Sequence, residues 1–558
     1  MEARMKRRDF LRVGGWSGAG LALAPAQLAW LVQDAQAASA ASGTPWTFGV
    51  MADTQWSNRT DLANPGTCAV GIINALNQRF IAAGARFVVQ VGDLVDSESW
   101  THPTRGGTER TLPYRAAAAQ ALYDAGIGFF PVRGNHEASA TAAAELRTLF
   151  PQTRGQGGAL WGVDRVIPST LASLEGLSYA VDIGNVRIVL LDQFTRLDGS
   201  GSTNNNVLDQ LDWVDGVLSS RASDQHAFVF AHKNLIGQNH ADCLFGSSAT
   251  SNTAGRNRFI ASLQANRVAS CIGGHDHMHH RSLVRSPDGS AAAPQIICAS
   301  NSYKFYIPKS TPNDSTGRES VVAQELFTIG YYLFHVDGPC VTVEYWSSSH
   351  GADYGDLDLQ YPPASYAFFL RERFGCSLNG RRFDIANGGS YTAVRDSFGT
   401  TSAAILAGSN ADIADDADYN RRDEIKTVQT GWKERPAGAA SAVLKLWGIN
   451  DNLNLFDASL TGALPAAAGP ASGDAYVLSL SYDAAAVRPT ALRGGSFCLQ
   501  ARSADGNWTN AVHLNAGGTK KFVYGPWKPG YALGSYGVDP TARSVWAVID
   551  RDGEFAAL

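Results

Sequence analysis

Five short segments of this chain carry oxygen or imidazole donors at their ends. They are Asp53 and Gln55 in "FGVMADTQW" (48–56), Asp93 and Asp96 in "GDLVD" (92–96), Asn135, His136 and Glu137 in "GNHE" (134–137), His232 closing "HAFVFAH", and His275 and His277 in "GHDH" (274–277). Any one of them has an ordinary explanation: an Asp caps a helix, a His sits satisfied in a core. A succession of them does not. Carboxylates, amide oxygens and neutral imidazoles are the ligands that divalent cations take, and two adjacent cations need a carboxylate between them. The set therefore suits a dinuclear metal site. The imidazoles of "GHDH" stand two residues apart, so on an extended or looped backbone they address adjacent cations, whereas on a helix they diverge. Gly92 and Gly134 precede donor residues, where a missing Cβ lets the backbone approach a metal or phosphate closely.

The donors need elements to deliver them. "TFGVMAD", "FVVQVGD", "GFFPVRGN", "RIVLLDQF", "HAFVFAH" and "VASCIGGH" are short, apolar, β-rich and ended by a polar residue, which predicts buried strands. "GTCAVGIINALNQRFIAAG" and "YRAAAAQALYDAG" between the first three have helical spacing and a terminal Gly. Strand–helix–strand units of this kind predict an α/β fold with helices packed on a covered sheet. In such sheets ligands bind beyond the carboxyl ends of the strands, which is where the donors fall. "APQIICAS" and "YYLFHVDGPCVTVEYWSS" read as later strands of the same core. Beyond about Gly351 the pattern changes, with Pro362-Pro363 in a connector. Short alternating runs then follow ("SYTAVRDSF", "SAVLKLWGI", "AYVLSLSYD", "SFCLQARS", "SVWAVID"), predicting an all-β, sandwich-like domain. The acidic patch "NADIADDADYNRRDE" lacks EF-hand spacing and reads as a solvated loop.

In order and spacing, Asp53-x-Gln55, "GDLVD", "GNHE", His232 and "GHDH" resemble the motifs of the calcineurin-like metallophosphoesterase family: D-x-H, G-D-x-x-D, G-N-H-[DE], H and G-H-x-H. The resemblance implies a four-layer αββα sandwich. It further implies one cation held by Asp53, the residue at 55, Asp93 and His277, and another held by Asp93, Asn135, His232 and His275. Asp93 is then the bridge. A hydroxide made acidic by the cations would attack phosphorus in line while the cations neutralise the phosphoryl oxygens. His136 matches the family histidine that acts as general acid or transition-state stabiliser, and Asp96 and Glu137 are expected to orient their neighbours. The implied cofactors are two divalent or trivalent ions of manganese, iron or zinc. Gln55 departs from the family, offering an amide where an imidazole is usual. A more oxygen-rich shell suited to manganese, iron or magnesium, a weakly held cation, or a single-metal site all follow from it. Lys233, Tyr303 and Lys304 are possible substrate contacts, and His240, His279 and Tyr306 lie nearby.

At 558 residues the chain exceeds what one core serves. Net charge is −5 with no long basic block outside the N-terminus, so nothing points to a nucleic-acid partner. Residues 1–37 pair Arg7-Arg8 with a weakly apolar Gly- and Ala-rich stretch and small residues at Ala35 and Ala37. This order resembles a twin-arginine export signal, which implies the export machinery as a partner and a periplasmic or secreted destination. No stable membrane span is expected once it is cleaved. The expected organisation is an export signal (1–37), a metallophosphoesterase domain (45–350), a connector (351–375) and a β-rich accessory domain (376–558). Seven scattered cysteines, without C-x-x-C spacing, argue against a cysteine zinc site. The expected activity is hydrolysis of phosphoric mono- or diesters. The alternative is a cell-surface or carbohydrate-binding module, with "GNWTNAVHLN" and "PWKPGYALGSYG" as its face and a vestigial or single-metal phosphoesterase domain.

Overall fold

The computed structural model describes residues 44–349 and 366–558, except 58, 157–161, 203–205, 310, 315, 327, 379–384, 387–391, 396–397, 408–426, 434 and 448–474. The export signal, the acidic patch and Pro362-Pro363 lie outside the described residues.

The first part of the chain runs through β1 (Trp46–Met51), β2 (Ala85–Val91), β3 (Ser99–Thr101), β4 (Thr108–Arg110), β5 (Gly128–Val132), β6 (Arg165–Pro168), β7 (Tyr179–Ile183) and β8 (Val186–Leu191). It continues with β9 (His226–Ala231), β10 (Val268–Gly273), β11 (His279–Arg285), β12 (Ala292–Ile297), β13 (Glu319–Glu325), β14 (Thr328–Asp337), β15 (Cys340–Ser349) and β16 (Phe369–Ser377). Two sheets result, one in the order β16-β15-β14-β1-β2-β5 and one in the order β13-β11-β12-β10-β9-β8-β7-β6. β1, β2 and β5 are mutually parallel, as are β8, β9, β10 and β12.

The sheets face each other across an apolar layer that includes Phe48 and Val50 of β1, Phe87 of β2, Phe228 of β9 and Ile272 of β10. Phe48 stacks on Phe87 and Phe334, with ring centroids 5.0 and 4.6 Å apart. Period-2 alternation turns Met51 of β1 the other way, onto helix Val70–Ala82 through Ile72, Leu76 and Phe80. Helices Leu211–Ser219 and Thr253–Ala265 cover the far face of the second sheet through Val214, Leu218, Phe259 and Leu263. The layers are therefore helix, sheet, sheet, helix. A strand buried on both faces reads as a continuous apolar run rather than an alternating one, which accounts for "FVVQV". The second expected helix splits at Ala119, whose N–H bonds Ala116 O at 3.0 Å in a 3₁₀ step.

Phe369–Gly375, within the expected connector, is strand here: β16 pairs antiparallel with β15 and extends the first sheet. Beyond it lie two six-stranded sheets. They enclose a core that includes Leu444, Leu446, Leu499 and Phe555 on one side and Tyr476, Leu478 and Val545 on the other. Trp447 wedges between the two parts of the chain, donating Nε1–H to Thr342 at 2.5 Å where Gly375 and Gly431 leave room for its ring. All seven cysteines are buried thiols. Burial pushes the Cys271 thiol up to about 12, so it is chemically inert.

Candidate metal centre

The turn after β1 supplies Asp53, the turn after β2 Asp93 and the turn after β5 Asn135; the turns after β9 and β10 supply His232, His275 and His277. Because those strands run parallel within each sheet, the side chains gather at one end of the sandwich. The turns are tight. Asp53, Asp93, His275 and His277 have φ of 51, 46, 71 and 55°, four of the eight non-glycine residues with positive φ among those described. Such conformations cost on the order of 1–3 kcal/mol each and survive only where the surroundings enforce them. Here Asp53 N–H bonds Gly92 O (3.2 Å), Thr54 N–H bonds Asp93 O (2.8 Å) and His275 N–H bonds Asp53 Oδ1 (3.1 Å), so each ligand turn is tied to another.

The two glycines of these turns serve a purpose other than close approach to a metal or phosphate. A Cβ on Gly92 would stand 2.2 Å from His232 Nδ1, and one on Gly134 would stand 1.9 Å from Asp93 Oδ1. What fills their missing volume is the ligand side chains themselves.

Ligand atoms of Asp93, His232 and His275 lie within 4.8 Å of one another, and so do those of Asp53, Asp93 and His277. Asp93 belongs to both groups. His232 donates Nδ1–H to Val91 O (3.1 Å) and His277 donates Nδ1–H to Lys304 O (2.7 Å), which leaves each Nε2 lone pair facing inward. His232 Nε2 then faces Asn135 Oδ1 at 3.0 Å and Asp93 Oδ1 at 3.2 Å, and His277 Nε2 faces Asp53 Oδ1 at 3.5 Å. Acceptors facing acceptors call for a cation between them. Asp53 Oδ2 and Gln55 Oε1 are buried without a hydrogen-bond partner, an arrangement native structures avoid unless something else satisfies the atom. The donor set therefore fits two cations sharing Asp93. Gln55 belongs to the cluster, donating Nε2–H to Asp93 Oδ2 at 3.2 Å.

The electrostatics agree. Burial pushes the Asp53 carboxyl well above its usual range, and the Asp93 carboxylate beside it adds to the rise. Burial pulls Asp93 the same way, but the imidazoles of His232 and His136 outweigh it and hold Asp93 well below that range. For His232 burial opposes protonation, yet Asp93 overcomes it and raises the imidazole to about 9. A site that draws a proton in against desolvation favours positive charge of any kind. Burial lowers His275 to about 4 and His277 to about 3, so both are neutral ligands near pH 7.

The remaining expected residues surround this centre. His136 is one-fifth exposed, donates Nδ1–H to Asp96 O (2.6 Å), and holds Nε2 3.8 Å from Asp93 Oδ2. The Asp96 carboxylate accepts the Tyr303 hydroxyl at 3.1 Å. Glu137 is buried and accepts Val95 N–H (2.9 Å) and Gly134 N–H (3.0 Å), tying the Asp93 turn to the Asn135 turn. Burial, with Asp93 nearby, raises it to about 7. Lys233 is buried with its ammonium 2.5 Å from Asp242, which engages the group that a phosphate contact would use. Lys304 reaches the site through its backbone carbonyl, and its ammonium lies over the Tyr303 ring at 5.8 Å. His279 is buried well inside, between Tyr332 OH (2.9 Å) and Glu372 (2.8 Å). His240 stacks on His275 at 4.0 Å, and Tyr306 stands edge-on to both His240 and His277.

Two carboxylates escape sequence reasoning. Asp276 is buried and accepts from the backbone of Gln238, Asn239 and His240, fixing the loop after β9. Asp242 meets both Lys233 and His275. The first carried a signal, since an acid between two ligand histidines is placed by them. The second carried none.

The described fold is thus a four-layer αββα sandwich with a cluster of carboxylate, amide and imidazole donors at its strand ends. Residues 47–279 match the family of calcineurin-like phosphoesterases. No curated protein matches the chain in sequence. Among solved structures, a dimetal phosphatase from Danio rerio is 15% identical, with 54% of this chain and 95% of that chain covered and a TM-score of 0.31. A purple acid phosphatase from yellow lupin, Lupinus luteus, is 13% identical, with coverages of 60% and 54% and a TM-score of 0.37.

Proposed function

We propose that the chain is an exported hydrolase of phosphoric mono- or diesters that works with two bound cations. The observation that carries this is Asp93: its carboxylate belongs to two separate ligand groups, one with His232 and His275 and one with Asp53 and His277. Asp53, Gln55, Asp93 and His277 would hold one cation; Asp93, Asn135, His232 and His275 would hold the other. Bound there, cations would supply Lewis acidity toward the phosphoryl oxygens and acidify an attacking water. The chain's own residues do the rest. The backbone carbonyls of Val91 and Lys304 fix the His232 and His277 tautomers, so the ligands are preorganised before anything binds. Glu137 holds the Asp93 and Asn135 turns in register. His136, anchored by Asp96 O and partly exposed, presents Nε2 at the rim, where a protonated ring would donate to a phosphoryl or leaving-group oxygen.

The test is turnover of a chromogenic phosphomonoester and diester by the full chain and by Asp93→Asn, alongside elemental analysis of protein purified without chelators. Turnover lost in the variant, with two cations per wild-type chain, supports the reading. Equal inertness of both proteins across a broad phosphoester panel would defeat it. Export is tested separately: Arg7→Lys with Arg8→Lys should retain the protein inside the cell, and unaltered export would remove that part.

A further inference from the structure

Of the three ligand imidazoles, His232 and His277 are oriented by backbone carbonyls and present Nε2 to the carboxylates. His275 is built the other way. Its Nε2 lies 3.3 Å from Asp242 Oδ1, so the nitrogen left to face Asp93 and His232 is Nδ1. This ring has no backbone carbonyl to set its tautomer; a carboxylate does it. Such a partner also makes an imidazole a more basic ligand than a carbonyl does. The other oxygen of Asp242 is held by Lys233 at 2.5 Å, and Lys233 is 1% exposed beside the ligand His232. Asp242 is thus clamped from one side and engages His275 from the other. The His275 ring is further confined by His240, stacked at 4.0 Å, and by His232, edge-on at 5.0 Å.

We infer that Asp242 is a positioning residue that sets the tautomer and basicity of His275, and through it the affinity of the cation site formed by Asp93, Asn135, His232 and His275. The inference rests on the two-cation reading above. Lys233, rather than meeting substrate, holds Asp242 in place. The asymmetry follows from the donors. The site with Asp53 has a carboxylate of its own beside the shared Asp93, whereas the site with His275 has only neutral ligands beside it. A carboxylate behind His275 strengthens the site that lacks one.

The experiment titrates Mn²⁺ into the metal-free full chain by calorimetry and records ¹⁵N spectra of the imidazoles in the same protein. Asp242→Ala should lower the affinity of one cation site by about 10- to 100-fold and leave the other within about threefold. His275 should change from a single tautomer to a mixture. Asp242→Asn keeps an acceptor for Nε2–H and should preserve the tautomer while losing most of that affinity, so it stands in should Asp242→Ala fold poorly. Lys233→Met should give a smaller loss at the same site. Unchanged affinities and an unchanged His275 tautomer in Asp242→Ala would overturn the positioning role, as would equal weakening of both sites. A wild type that binds fewer than two Mn²⁺ would instead sink the two-cation reading, and the affinity role with it.

Discussion

Gly134→Ala separates sterics from backbone conformation at this centre. Gly134 has φ −103° and ψ −174°, an extended conformation that alanine adopts freely. On backbone grounds alone the change should stabilise the protein by about 0.4–1 kcal/mol through the unfolded chain. Space says otherwise. The new Cβ would lie 1.9 Å from Asp93 Oδ1 and 2.2 Å from Asp93 N. The second contact is with backbone, so no rotamer change relieves it, and the Asp93 turn must retreat. Overpacking of this kind costs about 1–3 kcal/mol, which outweighs the entropic gain.

The matched control is Gly84→Ala, where φ is +62° and nothing lies within 4 Å of the new Cβ. It should cost about 1–2 kcal/mol for the left-handed backbone and leave the ligands where they are. Urea unfolding should therefore find both variants weakened to a similar degree. Mn²⁺ titration should tell them apart, with affinity reduced at least about tenfold in Gly134→Ala and unchanged in Gly84→Ala. A Gly134→Ala protein as stable as wild type with intact Mn²⁺ binding would refute the claim that the ligand side chains require this glycine.

Other changes probe separate links. Burial lowers His226 from 6.5 to about 4, with Nε2–H donated to Gly338 O at 2.9 Å, so the folded state keeps it neutral while the unfolded chain takes up a proton below pH 6.5. Its stability contribution is complete above pH 6.5 and falls by on the order of 3 kcal/mol as pH drops toward 4; urea midpoints across that range should fall less steeply in His226→Gln, and parallel curves would count against it. Gln55→His should tighten one Mn²⁺ site by about tenfold or more, since an imidazole is the better donor; an unchanged isotherm would mean that Gln55 is no ligand. Trp447→Ala, which empties a site between the two parts of the chain, should cost about 3–5 kcal/mol of stability while leaving Mn²⁺ affinity intact, and a loss below about 1 kcal/mol would show that the indole is not a wedge.

What could be seen in the sequence follows from where the physical signal is local. The strands that deliver ligands are buried on both faces, so β1, β2, β5, β9 and β10 stand out as apolar runs ended by a polar residue. Asp53 and Asp93 were legible for that reason. β6, with only partly buried or exposed residues, and β13, whose first four residues are partly buried or exposed, carry no such contrast. The start of β16 reads as connector in the sequence because its partner on the sheet, β15, is fixed by register rather than by any local turn.

The same logic applies to Lys233 and Asp242, whose pairing no local pattern shows. A lysine after a strand end reads as a free cation near a phosphate site only while its partner is unknown. That partner lies nine residues on in a loop with no periodicity, and its second contact, His275, is 33 residues further still. Periodicity reports burial and the donor pattern reports ligands. Neither reports which charge sits behind a ligand, because that depends on how two loops from neighbouring strands of one sheet fold back over each other. Gln55 shows the converse. Its departure from the motif pattern is plain in the sequence, but its consequence is not: only the Nε2–H bond to Asp93, with Oε1 buried and partnerless, shows that the amide still belongs to the cluster. A residue lost from the site would have turned that oxygen to solvent or to a backbone donor.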